Sequence, residues 1–290
     1  MQVLLDFWAA YRSTVIFSIV NSFFALSTYA VLAAGILSFA TVAFAAVGGF
    51  LGAQVALNLG LGLVWLVPVT AAAGLLSGYL VAAIFLRLDS HWMALASLAL
   101  ILITRVVVIN IPSVTGGVNG MSVPVSISLF ALVVLLLIAM VVFYRINNSW
   151  YGIAATAVRE DAAVASSLGI ETRRIQMIAF CVSGAVGGVG GMMLALVLKF
   201  LSPDTYFIHL AFTMIAAVVL GGSYHWAGAI IGAAVFTALP IATQAIIPEF
   251  QEVANGVVLL LIMIFMPRGL VDPRAIRLRR QARSVAEAPK

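Results

Sequence analysis

The residues best suited to chemistry gather in one place, Arg159-Glu160-Asp161-Ala162-Ala163 followed by Leu168-Gly169-Ile170, inside a charged stretch at 151–176. Elsewhere the chain offers little for making or breaking bonds. It has no G-x-x-x-x-G-K-[ST] phosphate loop, and its lysines are Lys199 and Lys290, so a P-loop ATPase site of its own is excluded. No H-E-x-x-H and no G-x-S-x-G occurs. His91, His209 and His225 lie far apart near the ends of apolar segments, so neither catalytic residues nor a metal site is expected. The lone Cys181 excludes a disulfide framework. What remains for 151–176 is to present a charged surface to another protein.

The helix in that stretch is read as starting at Thr156 as N-cap, with Glu160 and Asp161 near its positive end. Gly169 then serves as a left-handed stop. Such a helix is about 18 Å long at 1.5 Å per residue. Ala157, Ala162, Ala163, Ala165, Ser166 and Ser167 give it a low relief that another protein's groove can seat. A helix lying in the membrane surface needs a wide apolar face, which Val158, Val164 and Leu168 do not supply. The expectation is a handle for a partner, with an ordinary linker helix as the alternative.

The elements that must hold this handle are membrane-spanning helices. The 290 residues are 64% hydrophobic and 9% charged, with a mean hydropathy of +1.18. Apolar runs recur at the roughly 20-residue length that crosses a bilayer core, without the alternation of a β-barrel. The expected fold is an all-α polytopic bundle of about 8–10 spans, some short or broken. The spans are read at roughly 13–34, 37–57, 63–85, 91–108, 125–144, 177–198, 208–221, 228–246 and 254–266. The first is read as a retained helix, since no basic n-region precedes it. The membrane unit runs over 1–272, followed by a basic tail at 273–290.

Positive charge sets orientation. Arg145, Arg159, Arg173 and Arg174 place 145–176 inside, and Arg268, Arg274, Arg277, Arg279, Arg280 and Arg283 place the C-terminus inside. These bases are read as facing anionic membrane lipid, not nucleic acid. Connections near 58–62, 109–124, 199–207 and 247–253 then fall outside. Arg105, near an outer helix end, either snorkels to the interface or receives an anionic solute.

Many glycines fall four apart, the spacing that lets helix backbones approach closely. The adjacent pairs Gly48-Gly49, Gly187-Gly188 and Gly221-Gly222 are expected to loosen helices beside a pathway.

The 159–163 and 168–170 residues with Ala179-Phe180 resemble the cytoplasmic loop of bacterial ABC import permeases, specifically the branched-chain amino-acid permeases of the LivM type. Gly35-Ile36-Leu37-Ser38 with Ala43-Phe44 and Gly48 is similar to that family's early pattern, and Thr115-Gly116-Gly117-Val118-Asn119-Gly120-Met121 resembles its T-G-G-x-[DN]-G loop. Ser202-Pro203, Val218–Gly222, Gly228-Ala229, Gly232-Ala233 and Pro267-Arg268-Gly269-Leu270 agree with later landmarks, over about 15–272. The turn Ser223-Tyr224-His225-Trp226-Ala227 is bulkier than the family's usual small residues, and 39–42 lack its polar ones.

The resemblance implies a bacterial inner-membrane subunit with a LivH-like second permease, two LivG/LivF-like ATPase subunits and a periplasmic binding protein. ATP and Mg belong to the ATPase partners, and this chain binds no cofactor. Arg159, Glu160, Asp161, Ala162, Ala163 and Gly169 would dock the ATPase. Ser38, Thr41, Phe44, Gly48, Gly221 and Gly222 would border the route. Thr115, Gly116, Gly117, Asn119 and Gly120 would form an outer loop at the entrance or at the binding protein. The implied cargo is a branched-chain amino acid or similar small zwitterion, with urea, short amides or carboxylic acids as the alternative. A secondary carrier, a lipid-acting enzyme and a purely structural partner are the competing classes.

Overall fold

In lipid every backbone polar group has to pair within its own segment, which leaves helices as the building element. A computed structural model describes residues 2–60, 62–88, 90–123, 125–246, 256, 260, 264 and 269–271. The helices are α1 (Gln2–Leu32), α2 (Thr41–Leu59), α3 (Leu63–Phe85), α4 (Ser90–Asn110), the single turn α5 (Pro112–Thr115), α6 (Leu129–Asn147), α7 (Trp150–Glu160), α8 (Ala162–Ser167), α9 (Thr172–Leu198), α10 (Ile208–Gly221) and α11 (Trp226–Ile246). Two short strands, β1 (Met121–Ser122) and β2 (Phe200–Leu201), pair antiparallel.

Among the described residues six helices are long and apolar enough to cross a membrane: Arg12–Leu32, Thr41–Asn58, Leu63–Phe85, Trp92–Asn110, Leu129–Asn147 and Thr172–Leu198. The expected spans at 208–221 and 228–246 form instead a pair bent by 119°, which makes at most a seventh span. At 14 residues α10 reaches only about 21 Å, short of the roughly 30 Å core. Gly222, at φ 106°, ends α10 and turns the chain. The expected span at 254–266 and the tail at 273–290 lie almost wholly outside the described residues.

Burial sorts the helices into a centre and a rim. The apolar windows of α1, α2 and α9 are each 67% buried, against 22% for α3 and α4 and 17% for α6. Phe23, Phe24, Leu26, Met192, Met193 and Leu196 fill the centre. Glycine permits the closest approaches. A Cβ on Gly48 would overlap the Gly188 carbonyl, one on Gly191 the Ala45 carbonyl, and Gly74 and Gly184 each meet the other's carbonyl. Gly48-Gly49 and Gly187-Gly188 lie inside unbroken α2 and α9, so these pairs admit a neighbouring backbone and do not loosen their helices.

The interior also carries hydroxyls. Ser27 of α1 donates to the Ser183 carbonyl of α9 at 2.7 Å and lies 3.0 Å from Ser183 Oγ. Thr41 Oγ1 lies 3.4 Å from Ser27 Oγ and 3.3 Å from Thr28 Oγ1. Among the described residues no buried side-chain nitrogen or oxygen lacks a hydrogen-bond partner, as a low-dielectric interior demands.

The described connections expected on one side share one end, while 247–253 lies outside the described residues. At the expected outer end Gln54 Nε2 donates to the Val114 carbonyl, β1 pairs with β2, and Tyr206 Oη donates to the Gly191 carbonyl at 2.7 Å. At the other end Gly35 packs on Arg159. There Leu270 N and Val271 N donate to the carbonyls of Leu220 and Gly221 at 2.9 and 3.0 Å.

Candidate functional site

The charged stretch folds as two helices at an angle set by Asp161. Thr156 does not cap: it lies inside α7 and donates its hydroxyl back to the Gly152 carbonyl at 2.9 Å. The chain becomes extended at Asp161 (φ −157°, ψ 110°), whose carboxylate accepts from Ala163 N at 2.8 Å and Val164 N at 3.0 Å. Aspartate is among the strongest N-caps because its oxygen meets two amides that the first turn leaves unpaired. Short α8 therefore starts at Ala162, and the expected single helix is replaced by α7, a break and α8.

The end of α8 agrees with expectation. Gly169 adopts φ 84°, its amide donates to the Ser166 carbonyl at 3.0 Å, and Ile170 N donates to the Ala165 carbonyl at 3.1 Å. This pair of bonds is the Schellman arrangement that satisfies the last carbonyls of a helix.

Exposure separates the residues into two faces. Within α8 only Ala165 is buried, while Ala162, Ala163, Val164, Ser166 and Ser167 are exposed. Val164 and Leu168 are 54% and 74% exposed, and Glu160 is exposed beside them. Behind this surface Ala154, Ala155, Val158 and Ala165 pack with Ala34, Ile175 and Ala179. The handle is thus seated on the α1–α2 connection and the start of α9.

Arg159 does not share the outward face. Its guanidinium donates to the Ser223 carbonyl and, at 2.8 Å, to Ser223 Oγ. It also stacks 4.2 Å from the centre of the Tyr224 ring, a cation–π contact. A Cβ on Gly35 would lie 3.0 Å from Arg159 Cα, so glycine is what lets the α1–α2 connection come this close. Arg159 ties α7 to the tip of the bent α10–α11 pair. At that tip Ala227 N donates to His225 Nδ1 at 3.1 Å, and partial burial lowers the imidazole pKa below its ordinary value. Burial pushes the Tyr151 hydroxyl well up; it reaches the Ile175 carbonyl at 3.5 Å.

The residues expected along a route are buried. Ser38 Oγ accepts from Ala40 N at 3.2 Å just before α2. Thr41 joins the interior hydroxyls, Phe44 packs with Val31, Ile36 and Phe180, and Gly48 meets Gly188. Gly221 meets Gly228 and Gly232, and Gly222 meets Gly269. None of the six lines the cleft bordered by Tyr29, Phe143, Asn147, Arg159 and Tyr224 at the handle end. In the outer loop Thr115 donates to the Val108 and Ile111 carbonyls at 2.5 and 2.8 Å and accepts from Gly117 N at 3.2 Å. Gly116 and Gly120 pack against each other, and Gly120 also meets the Leu201 carbonyl, while Asn119 is exposed. Arg105 neither snorkels freely nor awaits an anion. Its Nη2 pairs with Asp204 at 2.8 Å, and it lies 4.7 Å from the Phe207 ring centre.

Ser223 and Tyr224 were visible in the sequence only as a bulkier turn. The signal available was an arginine in the handle and an aromatic-rich turn both expected on the inner side.

A bundle of helices long and apolar enough to cross a membrane places the chain among polytopic membrane proteins. The sequence pattern of the family described as "Branched-chain amino acid transport system / permease component" matches residues 11–267, and the chain belongs to that family. It is similar to the high-affinity branched-chain amino acid transport system permease protein LivM of Escherichia coli, 27% identical over 79% of this chain and 62% of that protein. LivM of Salmonella typhimurium is 29% identical over the same shares, and its LivH is 31% identical over 47% of this chain and 44% of that protein. The chain thus spans about 62% of the length of the LivM relatives it matches. No solved structure matches it.

Proposed function

We propose that this chain is the permease subunit of a binding-protein-dependent ABC importer in a bacterial inner membrane, moving branched-chain amino acids or a closely similar zwitterion. The family match and the names of its relatives support the cargo class. The observation that carries the mechanism is the exposed face of α8, an Asp161-capped rod with Val164 and Leu168 outward at the end where the charged connections gather.

In this reading two ATPase subunits hold ATP and Mg, and one of them seats α8 through Glu160, Asp161, Ala162, Ala163 and the Gly169 turn. The handle end and the C-terminus face the cytoplasm. A LivH-like permease completes the route, whose wall includes Ser38, Thr41, Phe44, Gly48, Gly221 and Gly222. The outer loop at Thr115, Gly116, Gly117, Asn119 and Gly120 receives a periplasmic binding protein. Arg159 carries motion of the handle to the bent α10–α11 pair through Ser223 and Tyr224. The chain supplies a path and a lever, while ATP hydrolysis belongs to its partners.

The test uses the assembled transporter in proteoliposomes with Leu168→Asp and, separately, Gly169→Val. The second variant isolates backbone strain, since a Cβ at Gly169 meets nothing within 4 Å yet the left-handed conformation costs a branched residue about 1–2 kcal/mol. Both variants should hydrolyse ATP without matching uptake while still inserting in the membrane. Uptake at the parent rate in both overturns the handle.

A further inference from the structure

A polar side chain halfway across a bilayer has to meet protein or water, because hydrocarbon offers it no partner. Asn21 of α1 stands at that depth. The C-terminal end of α1 lies at the handle end, where Gly35 packs on Arg159. Asn21 precedes the last residue of α1, Leu32, by eleven residues, a rise of about 16 Å and so near the middle of the core. Its partner Thr237 follows Trp226, the first residue of α11, by the same eleven. Both side chains are only part-buried, so the pair sits at an open edge of the bundle and not in its centre.

The bond between them fixes the amide. Thr237 donates its one hydroxyl proton to the Ala233 carbonyl at 2.7 Å, so it accepts, at 2.9 Å, from Asn21 Nδ2. An asparagine amide has two N–H donors and a carbonyl oxygen that accepts, and this bond uses one donor. A solute on the open side therefore meets a neutral group able both to donate to a carboxylate and to accept from an ammonium. Such a group suits a zwitterion and holds it more loosely than a fixed charge would.

Polarity continues along the same face. Thr14, Ser18, Asn21 and Thr28 fall four, three and seven residues apart, the spacing that lines side chains along one side of a helix. Thr14 and Ser18 are part-buried like Asn21, whereas Thr28 is buried. Thr28 Oγ1 lies 3.3 Å from Thr41 Oγ1, and Thr41 in turn neighbours Ser27, which donates to the Ser183 carbonyl. The stripe is thus open in its outer half and packed shut among α1, α2 and α9 toward the handle.

We infer that the α1–α11 edge centred on Asn21 is a water-lined wall of the solute route, and that the Asn21 amide is the mid-membrane contact for a zwitterionic solute. The solute contact rests on the transport reading, whereas the water-lined wall is tested without transport.

The assembled transporter, carrying Cys181→Ser so that an introduced thiol is alone in this chain, is placed in nanodiscs and treated with a water-soluble methanethiosulfonate. Asn21→Cys should react at least roughly tenfold faster than Ile103→Cys, an exposed position in the middle of α4, because the thiolate is the reactive form and hydrocarbon suppresses it. Reaction as slow as at Ile103 overturns the inference whatever the molecule transports. Leucine should slow labelling of Asn21→Cys, a protection that a merely structural asparagine would not show. In proteoliposomes Asn21→Leu, which removes the hydrogen bonding at similar size, should lower leucine uptake roughly tenfold, and Asn21→Gln should recover part of it. Fast labelling with no protection by leucine and with uptake unchanged in Asn21→Leu overturns the solute contact. If the parent itself takes up no leucine, the transport reading fails, while the labelling rate still upholds or overturns the wall.

Discussion

Two arginines, one at each end of the bundle, stack on an aromatic ring, and their surroundings differ in a telling way. Arg105 sits 4.7 Å from the Phe207 ring centre with Asp204 closing an ion pair, both side chains substantially exposed at 39% and 64%. Arg159 sits 4.2 Å from the Tyr224 ring centre, half-buried, with a serine in place of the acid. Arg105 joins neighbouring elements at an exposed surface where water does much of the same work. Arg159 links α7, the Gly35 connection and the α10–α11 tip. Similar chemistry thus makes a replaceable clasp at one end and a mechanical joint at the other.

The largest effect should come from setting the two against each other. Arg159→Ala is expected to cut uptake more than tenfold and to lower the thermal midpoint. Arg105→Ala removes an exposed pair worth about 0.2–1 kcal/mol and should leave uptake within about twofold. Arg159→Lys should fail to restore transport, because an ammonium cannot both bridge two serine oxygens and stack as a planar fork does. Equal losses from the two alanine variants, read by uptake and by thermal unfolding, would erase the distinction.

A smaller effect is expected at Asp161, whose carboxylate starts α8. Asp161→Ala removes a cap worth about 1 kcal/mol. Amide exchange at Ala163 and Val164 should quicken roughly fivefold, while exchange in the middle of α9 stays unchanged. Equal acceleration in both places would mean that the handle and bundle open as one unit, contrary to an independently hinged α8.

The smallest effect concerns pH. His225 accepts from Ala227 N as a neutral ring, and burial holds its pKa below the ordinary 6.5. The folded state therefore binds this proton more weakly than the unfolded state, so stability rises with pH across the window. The contribution is fully present above 6.5 and declines as pH falls through 6.5 toward the lower folded value. Unfolding midpoints from pH 7.5 to 5.5 should fall more for the parent than for His225→Asn, which keeps a neutral acceptor. Identical slopes would remove His225 from the joint's design.

Much of this architecture was legible in the sequence because lipid enforces a simple rule of length and polarity. The spans at 63–85 and 13–34 were read almost to the residue, since apolar runs of membrane length have few alternative readings. Glycines four apart, such as Gly184 and Gly188, read correctly as close packing, because small side chains in helices leave little else to do. The break at Asp161 was missed although Asp followed by Ala-Ala is a stronger cap signal than Thr156. Continuous helical propensity on both sides hid a single extended residue. The bent α10–α11 pair was read as two crossings because hydropathy reports polarity and not direction. Arg105 with Asp204, and Arg159 with Ser223 and Tyr224, join residues far apart in sequence, and no local pattern announces such partners. The interior hydroxyls Ser27, Thr28 and Ser183 went unremarked for the same reason, with only Thr41 drawing notice.

The glycine seam along α9 has a consequence for motion. Where a carbonyl occupies the place of an absent Cβ, as between Gly48 and Gly188 or Gly74 and Gly184, rotating or sliding one helix past the other drives backbone into backbone. The trio α2, α3 and α9 therefore behaves as a keyed block, and whatever stroke the molecule performs is steered outward to elements without such interlocks.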